Sequence, residues 1–501
     1  MNRPEQARDS IVRNAAFAVG VKLVGSVFTA VLTIFLVRYL GPAEYGVFAL
    51  AMSVGGLVLI PSDLGISHSA ARFIAELRGK PDDVAAVVSD AVRLKLVVSG
   101  AFSLALIATA GPIAGAYDTP ELAWPLRILA IATFGQSLML LWGSVFEAMG
   151  RLSVYLRVVT AESALECGAS IVIVLFGTAA AGAMAGRAAA YAFAAGFGAV
   201  LVARTLSRSV RPSRRGHGHA RRIATYGSAL IIVDGAFTLF SQIDVLLIGA
   251  LLSISAVGLF EAAFKLAGFL GFIGLPVRSA VAPRLARDEG GPNIEALQRA
   301  LRYLLLFQGV ILAPMIVWAE PLTRIVLGSQ YLGAADTLRA FAPFAMLGAI
   351  SPVLAGAVNY LGAARRRVPI AIAAVVVNAA IAAALLEEIG IIAGAIATDV
   401  GYTLYVGAHL WLLRQLIGMR LMPLVAPVLG SLVAAGVMAL VLLPFGTGAD
   451  VSVPVVFVVG TLASGVYFAV LVLTGQVTRE ELAALWRRLR ALRGERSTPP
   501  D

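Results

Sequence analysis

Residues 15–37 read AAFAVGVKLVGSVFTAVLTIFLV, twenty-three residues that carry one charge, Lys22. As an α-helix rising about 1.5 Å per residue, this run extends roughly 35 Å, enough to cross a hydrocarbon core about 30 Å thick. Its polar residues keep to one narrow line, so it has no broad wet face of the kind a surface helix of a soluble domain presents. The run therefore reads as a membrane helix, and the fold follows from how often it recurs.

It recurs to the end of the chain. Apolar runs of similar length lie at about 15–37, 45–67, 94–115, 126–148, 154–177, 180–202, 223–250, 256–281, 302–319, 336–361, 368–388, 391–413, 423–444 and 453–474. The expected fold class is an all-α integral membrane protein of about fourteen transmembrane helices. Composition agrees: 59% of the 501 residues are hydrophobic and 14% charged, against about 25% charged in soluble proteins. A mean hydropathy of +0.87 excludes an ordinary soluble domain. The net charge of +11 would suggest nucleic acid in a soluble protein. Here the arginines lie between apolar runs and report topology, so no nucleic-acid partner is expected.

The loops test the count. Arg72, Arg78 and Lys80, Arg151, the basic run from Arg204 to Arg222, Arg284 and Arg287, Arg365 to Arg367, Arg414 and Arg420 fall on one side. Glu44, Asp118 and Glu121, Glu320 and Asp336, Glu387 and Glu388, and Asp450 fall on the other. The positive-inside rule then places both termini in the cytoplasm. Arg3, Arg8 and Arg13 precede the first run without a small-residue cleavage site, which predicts a retained helix and no signal peptide.

The chain repeats itself. An offset of 212 residues pairs Gly46 with Gly258, Phe48 with Phe260, Arg72 with Arg284, Leu126-Arg127 with Leu338-Arg339, and Gly150 with Gly362. A shift of six helices preserves orientation, so two parallel six-helix lobes are expected about an axis along the membrane normal, with a site between them. The organisation reads as a first lobe at 1–203, a basic cytoplasmic linker at 204–222, a second lobe at 223–415, two additional transmembrane helices at 416–475, and a basic tail at 476–501. In that tail Thr478 and Glu481 have capping-box spacing. Leu482, Leu485, Trp486, Leu489 and Leu492 form an apolar stripe among arginines, which predicts an amphipathic helix on the inner leaflet.

Leu40-Gly41-Pro42-Ala43-Glu44-Tyr45-Gly46, followed by Asp63-Leu64-Gly65-Ile66 and Ala70-Ala71-Arg72, resembles the polysaccharide-transport (Wzx-type) flippases of the multidrug/oligosaccharidyl-lipid/polysaccharide exporter superfamily. The second half agrees with Asp244-Val245-Leu246-Leu247-Ile248-Gly249, Val257-Gly258-Leu259-Phe260, Ala262-Ala263 and Lys265, although Phe260 stands where the family often has Tyr. The similarity covers about residues 10–415. It implies a bundle that opens alternately to each face and carries a polyprenyl-pyrophosphate-linked oligosaccharide from the inner to the outer leaflet of a bacterial cytoplasmic membrane. Expected partners are that glycan, membrane lipids, a polysaccharide polymerase and glycosyltransferases. The arginine-rich first helix of the related lipid II flippases is not found here, which lowers a peptidoglycan role without removing it.

Ionisable residues at membrane depth mark the candidate site, because they are expensive there unless they face a partner or water. Lys22, Ser26, Thr29 and Thr33 share one face of the first span. The 212-residue offset maps the first three onto Asp234, Thr238 and Ser241 of the seventh span. These stripes are candidates to line the cavity, Lys22 attracting a pyrophosphate and Asp234 pairing with it in its absence; Lys265 of the eighth span reads first as the local i, i+4 partner of Glu261 and second as cavity lining. The other reading is a static salt bridge between lobes. Glu162, Glu166 and Arg187 read either as a structural salt bridge or as a proton- or cation-sensitive site, since carboxylates one turn apart discourage double ionisation. Helical rise puts Arg187 near the depth of Glu166. Asp399 is a further ion-coupling candidate. Asp63, His68, Arg72, Arg278 and Arg284 are candidates for an inner gate or for headgroup recruitment, with topology alone the other reading of the arginines, and Arg38 for contact with headgroups or a departing substrate at the outer end.

No catalytic constellation and no P-loop occurs, so no enzyme activity and no cofactor are expected. His217-Gly218-His219 and the single Cys167 predict no metal site. The rival readings are a lipid II flippase and a cation-coupled multidrug exporter of the same superfamily. A small cationic substrate would favour an acidic cavity, whereas Lys22 favours an anionic headgroup.

Overall fold

The computed structural model describes residues 3–77, 80–207, 219–270, 293–478 and 481. Among these the regular structure is helical throughout. The principal helices are α1 (Arg3–Asp63), α2 (Ile66–Glu76), α3 (Pro81–Ala116), α4 (Ala123–Ala148), α5 (Leu152–Ile173), α6 (Ala179–Ser207), α7 (His219–Leu251) and α8 (Ile254–Leu270). They continue as α9 (Ile294–Gln308), α10 (Leu312–Val317), α11 (Ala342–Tyr360), α12 (Arg367–Ile389), α13 (Ile392–Ile417), α14 (Met422–Leu442) and α15 (Val453–Leu473).

Nine helical stretches among the described residues are long and apolar enough to cross a membrane. The protein is a multi-pass membrane protein. Two stretches, Gly20–Glu76 and Leu152–Leu206, run 57 and 55 residues, well over twice the length one crossing needs. Each contains a break. Gly41 sits at φ 75° and ψ 170° directly before Pro42, a conformation only glycine adopts at ease. The second break falls at Gly177 and Ala179, both at positive φ. These points separate the expected first span from the second and the expected fifth from the sixth.

The α3 helix begins earlier than its apolar run. Pro81 fits the first turn, where its missing N–H is not needed, and Asp82 and Asp83 meet the positive end of the helix dipole. Gly150 and Gly362, paired by the sequence offset, both take positive φ after a helix end, at 69° and 75°.

The chain folds as two compact units. The first comprises Met1–Lys265, Val326–Thr337 and Ala363–Tyr405. Within it α4 packs on α6 through small residues. A Cβ on Gly135 would lie 2.7 Å from the Tyr191 backbone, and one on Gly198 would lie 2.4 Å from the Trp142 ring. Trp142 Nε1 donates to the Ala195 carbonyl at 2.9 Å. Close backbone approach of this kind supplies the packing that drives helix association in lipid. The same unit holds a reciprocal contact between the repeat-related glycines. A Cβ on Gly46 would meet the Ile254 carbonyl oxygen at 1.9 Å, and one on Gly258 would meet the Pro42 carbonyl oxygen at 1.9 Å.

The second unit comprises Leu266–Ile325, Leu338–Gly362 and Val406–Asp501. Here α9 gives way to a tighter turn at Gly309–Ile311. Carbonyls near that break accept hydrogen bonds from other helices. Ser431 of α14 donates to Leu305 O at 2.9 Å, and Tyr467 of α15 donates to Leu306 O at 2.7 Å. Side chains thus serve backbone oxygens in a region where water does not. Beyond α15 the capping box forms: Thr478 N donates to Glu481 Oε2 at 2.9 Å and Glu481 N to Thr478 Oγ1 at 3.2 Å. Arg302 donates to Glu481 at 2.9 Å and Tyr303 donates to it at 2.7 Å. The apolar stripe expected from Leu482 onward lies outside the described residues.

Candidate functional site

On α1, Lys22 and Thr29 are exposed at the protein surface, and Ser26 and Thr33 are half-buried. On α7, Thr238 and Ser241 are half-buried, with Ser241 Oγ donating to the Thr238 carbonyl at 2.8 Å. The side chain of Asp234 lies outside the described residues, as do Arg278, Arg284 and His217. Gly235 approaches Ile60, so α7 packs on the second half of α1. Lys265 pairs with Glu261 at 2.9 Å, one turn apart on α8, with the carboxylate the more buried partner.

Glu162, Glu166 and Arg187 come together in the first unit. Arg187 Nη1 donates to Glu166. Its Nη2 donates to Gln136 Oε1 and to the Tyr191 hydroxyl, both at 3.3 Å, and the guanidinium lies 4.7 Å from the Tyr191 ring centroid. Glu162, 4% exposed, accepts from Ser163 Oγ at 3.0 Å, while its other oxygen is buried without a hydrogen-bond partner. Arg187 thus pairs with Glu166, one turn from Glu162 on α5.

Asp63 is held by Lys95, a residue that no sequence pattern singles out, since it stands alone at the start of the apolar run 94–115. The Lys95 side chain is fully buried and its ammonium donates to Asp63 Oδ1 and, at 3.1 Å, to Ser67 Oγ. Ser67 Oγ donates to the same carboxylate at 2.5 Å. The trio spans the break at Leu64 and Gly65, two successive residues in left-handed conformation. It ties the end of α1 to α2 and α3. His68 and Arg72 are exposed and outside this trio, with Arg72 pairing with Glu76 at 2.9 Å.

Arg38 Nε donates to the Val326 carbonyl at 2.9 Å, and Gln330 Nε2 donates to the Arg38 carbonyl at 3.0 Å. Glu44, read as a loop charge, accepts from the N–H of Ala180 at 3.3 Å, near the start of α6. Asp399 is half-buried on α13, and its backbone carbonyl accepts from Thr403 Oγ1 at 2.7 Å. Among the described residues no group of three or more His, Cys, Asp or Glu side chains is arranged to hold a metal ion.

With this geometry in place, comparison with known proteins gives consistent results. The model of a family described as polysaccharide biosynthesis protein matches residues 35–336. The probable low-salt glycan biosynthesis flippase Agl15 of Haloferax volcanii is 23% identical over 412 residues, 81% of this chain and 82% of that protein. Among solved structures, the lipid II flippase MurJ in an inward closed conformation aligns with a TM-score of 0.72 at 13% identity, covering 91% of this chain and 98% of that one. An inward-facing multidrug resistance MATE transporter aligns with a TM-score of 0.66 at 14% identity, covering 79% and 95%. These likenesses show a shared fold.

Proposed function

The chain belongs to the family of polysaccharide biosynthesis proteins, and we propose on that footing that it is a flippase for a polyprenyl-pyrophosphate-linked oligosaccharide, working by alternating access. The observation that carries this reading is the pairing of that family with a membrane fold that nearly the whole chain shares with a lipid II flippase. A family described by polysaccharide biosynthesis supports a glycan as cargo, and the likeness to a glycan biosynthesis flippase supports its transfer across the membrane. A glycan made on a lipid carrier at the inner leaflet has a charged headgroup that cannot cross about 30 Å of hydrocarbon unaided. The protein's task is to give that headgroup a polar path. It acts in the cytoplasmic membrane of a bacterium, with both termini inside, and as a transporter it makes and breaks no covalent bond.

In this reading the line of Lys22, Ser26, Thr29 and Thr33 meets the headgroup, and Lys22 supplies the counter-charge to its pyrophosphate. Asp234, Thr238, Ser241 and Lys265 complete the path. Glu162, Glu166 and Arg187 form the proton- or cation-sensitive site, with Arg187 paired to Glu166. Asp399 is a further ion-coupling residue. Asp63, Arg38, His68, Arg72, Arg278 and Arg284 act at the two ends of the path.

A deletion strain tests the reading. Lost surface glycan with completed lipid-linked repeat units accumulating in the membrane is the expected result. Lost glycan with no completed intermediate overturns it in favour of an enzyme, and normal glycan with new sensitivity to cationic drugs overturns it in favour of an exporter. Lys22→Ala, expressed at the parent level, is expected to abolish complementation, and full complementation refutes the role given to Lys22.

A further inference from the structure

The apolar stripe that follows Glu481 has no part in the transport path above, and the geometry at the end of α15 determines where it begins. α15 is long and apolar enough to cross a membrane and ends at Leu473. The chain turns there on Gly475, at φ 69°, with Gln476 N donating to the Leu471 carbonyl at 2.8 Å. Thr478 follows Leu473 by five residues, at most about 18 Å of extended chain, and its capping box with Glu481 starts the next helix at once. This start is fastened to the bundle. Arg302 of α9 donates to the Gln476 carbonyl at 2.5 Å and to Glu481 at 2.9 Å, and Tyr303 donates to Glu481 at 2.7 Å. Gln476 fills the space left open at Gly430 of α14, where a Cβ would lie 2.5 Å from it. The tail therefore sets out beside the end of a membrane helix, from a clamped first turn.

Leu482, Leu485, Trp486, Leu489 and Leu492 lie outside the described residues, and their spacing in the sequence is that of one helical face. At 3.6 residues per turn they occupy an arc of about 120°. Arg488 falls about 40° beyond one edge of this arc and Arg490 about 40° beyond the other. Arg487 stands opposite the arc, and Arg493 follows the last leucine. From Leu482 to Gly494 there is no acidic residue.

An apolar arc bordered by an arginine on each side fits a bilayer surface. With the leucines lowered among the acyl chains, the stems of Arg488 and Arg490 lie along apolar surface and their guanidinium groups reach the headgroups. Trp486, inside the arc, is of the residue type that settles at this boundary. The charge pattern selects the headgroup. Each arginine near an anionic surface raises the ratio of bound to free tail about fivefold, and no carboxylate in the segment opposes it. The clamp at Glu481 makes the encounter intramolecular, since the segment starts within reach of the surface it binds. We propose that residues 478–493 form a membrane-surface element that recognises anionic phospholipid headgroups, tethered to α9 by Arg302 and Tyr303 through Glu481.

Trp486 reports on this directly. The purified full-length chain and its Trp486→Phe variant are placed in nanodiscs of phosphatidylcholine, or of phosphatidylcholine mixed with phosphatidylglycerol, with bromine on the acyl chains. Bromine quenches an indole that touches those chains, and the difference between the two proteins isolates Trp486 from the other tryptophans. The expected result is quenching of Trp486 in the discs that contain phosphatidylglycerol, reversed by high salt. Replacing both Arg488→Gln and Arg490→Gln should lower the ratio of bound to free tail roughly 25-fold. The salt titration uses the parent chain, so it decides the matter even if the double variant fails to fold. An unquenched Trp486 in phosphatidylglycerol discs overturns the proposal, because the tail then rests in water or on protein. Equal quenching in phosphatidylcholine alone, or quenching indifferent to salt, overturns it in favour of apolar insertion blind to headgroup charge. Both faces of a disc carry the same lipid and no glycan is present, so the result depends neither on which face is cytoplasmic nor on the flippase reading.

Discussion

Gly46→Ala tests whether the close approach of the repeat-related segments is required. The added methyl would lie 1.9 Å from the Ile254 carbonyl oxygen, 2.9 Å from its carbon and 3.1 Å from the Gly258 nitrogen. Carbon atoms of this kind do not approach within 3.0 Å of a neighbour, so the two backbones must part by at least about 1.1 Å. Every one of these obstacles is backbone, and none can swing aside. Overpacking of a tight contact costs about 1–3 kcal/mol, and a gap near 1 Å forfeits a quarter to a half of the dispersion energy along the seam. We expect Gly46→Ala to lose roughly 2–3 kcal/mol on equilibrium unfolding in mixed detergent micelles. Gly258→Ala, which meets the Pro42 carbonyl oxygen at the same 1.9 Å, is expected to lose a similar amount. Once the first methyl has opened the seam the second meets less resistance, so the double variant should fall short of the sum by about 0.5 kcal/mol or more. A Gly46→Ala protein that unfolds within about 0.5 kcal/mol of the parent refutes the reasoning.

Lys95→Met strands Asp63 without its ammonium partner and is expected to lose about 3–5 kcal/mol on unfolding, with Asp63→Asn restoring most of it in the double variant. An additive double variant refutes the pairing. Tyr467→Phe removes the hydroxyl that donates to Leu306 O and should cost about 1–2 kcal/mol in the same measurement. Glu481 supplies a pH prediction. Burial works to raise its pKa but is outweighed by hydrogen bonds from the Thr478 backbone, Tyr303 and Arg302, which hold it at about 2. A carboxylate depressed in the folded state stabilises above its ordinary pKa of 4.5, and that contribution is lost as the pH falls towards 2. Hydrogen exchange around Arg302 and Gln476 should therefore be constant from pH 7 to pH 5 after correction for intrinsic rate, rise below pH 4.5, and be raised at every pH in Glu481→Gln. A rise already present between pH 7 and pH 5 in the parent refutes this assignment.

What was legible in the sequence was local or periodic. Apolar runs of bilayer length needed no structure to be read, because in lipid a backbone must satisfy its own hydrogen bonds and a helix does so within one segment. The breaks at Gly41-Pro42 and at Gly177 were legible as interruptions between runs. Thr478 and Glu481 form their box because three residues of spacing put each side chain beside the other's N–H. The Arg187–Glu166 pair was within reach of counting helical rise on adjacent spans. The offset of 212 residues identified Gly46 and Gly258 as equivalent, though not that each one's missing side chain makes room for a carbonyl near the other. Lys95 and Asp63 lie 32 residues apart. No spacing rule links such positions, since their meeting depends on which helices pack together and on how each is rotated. In a membrane helix nearly every neighbour is apolar, so the pattern that would reveal rotation in a soluble helix is faint. Local pattern along the chain carried the helical membrane class and the interruptions between runs, while helix packing alone decided which buried charges meet.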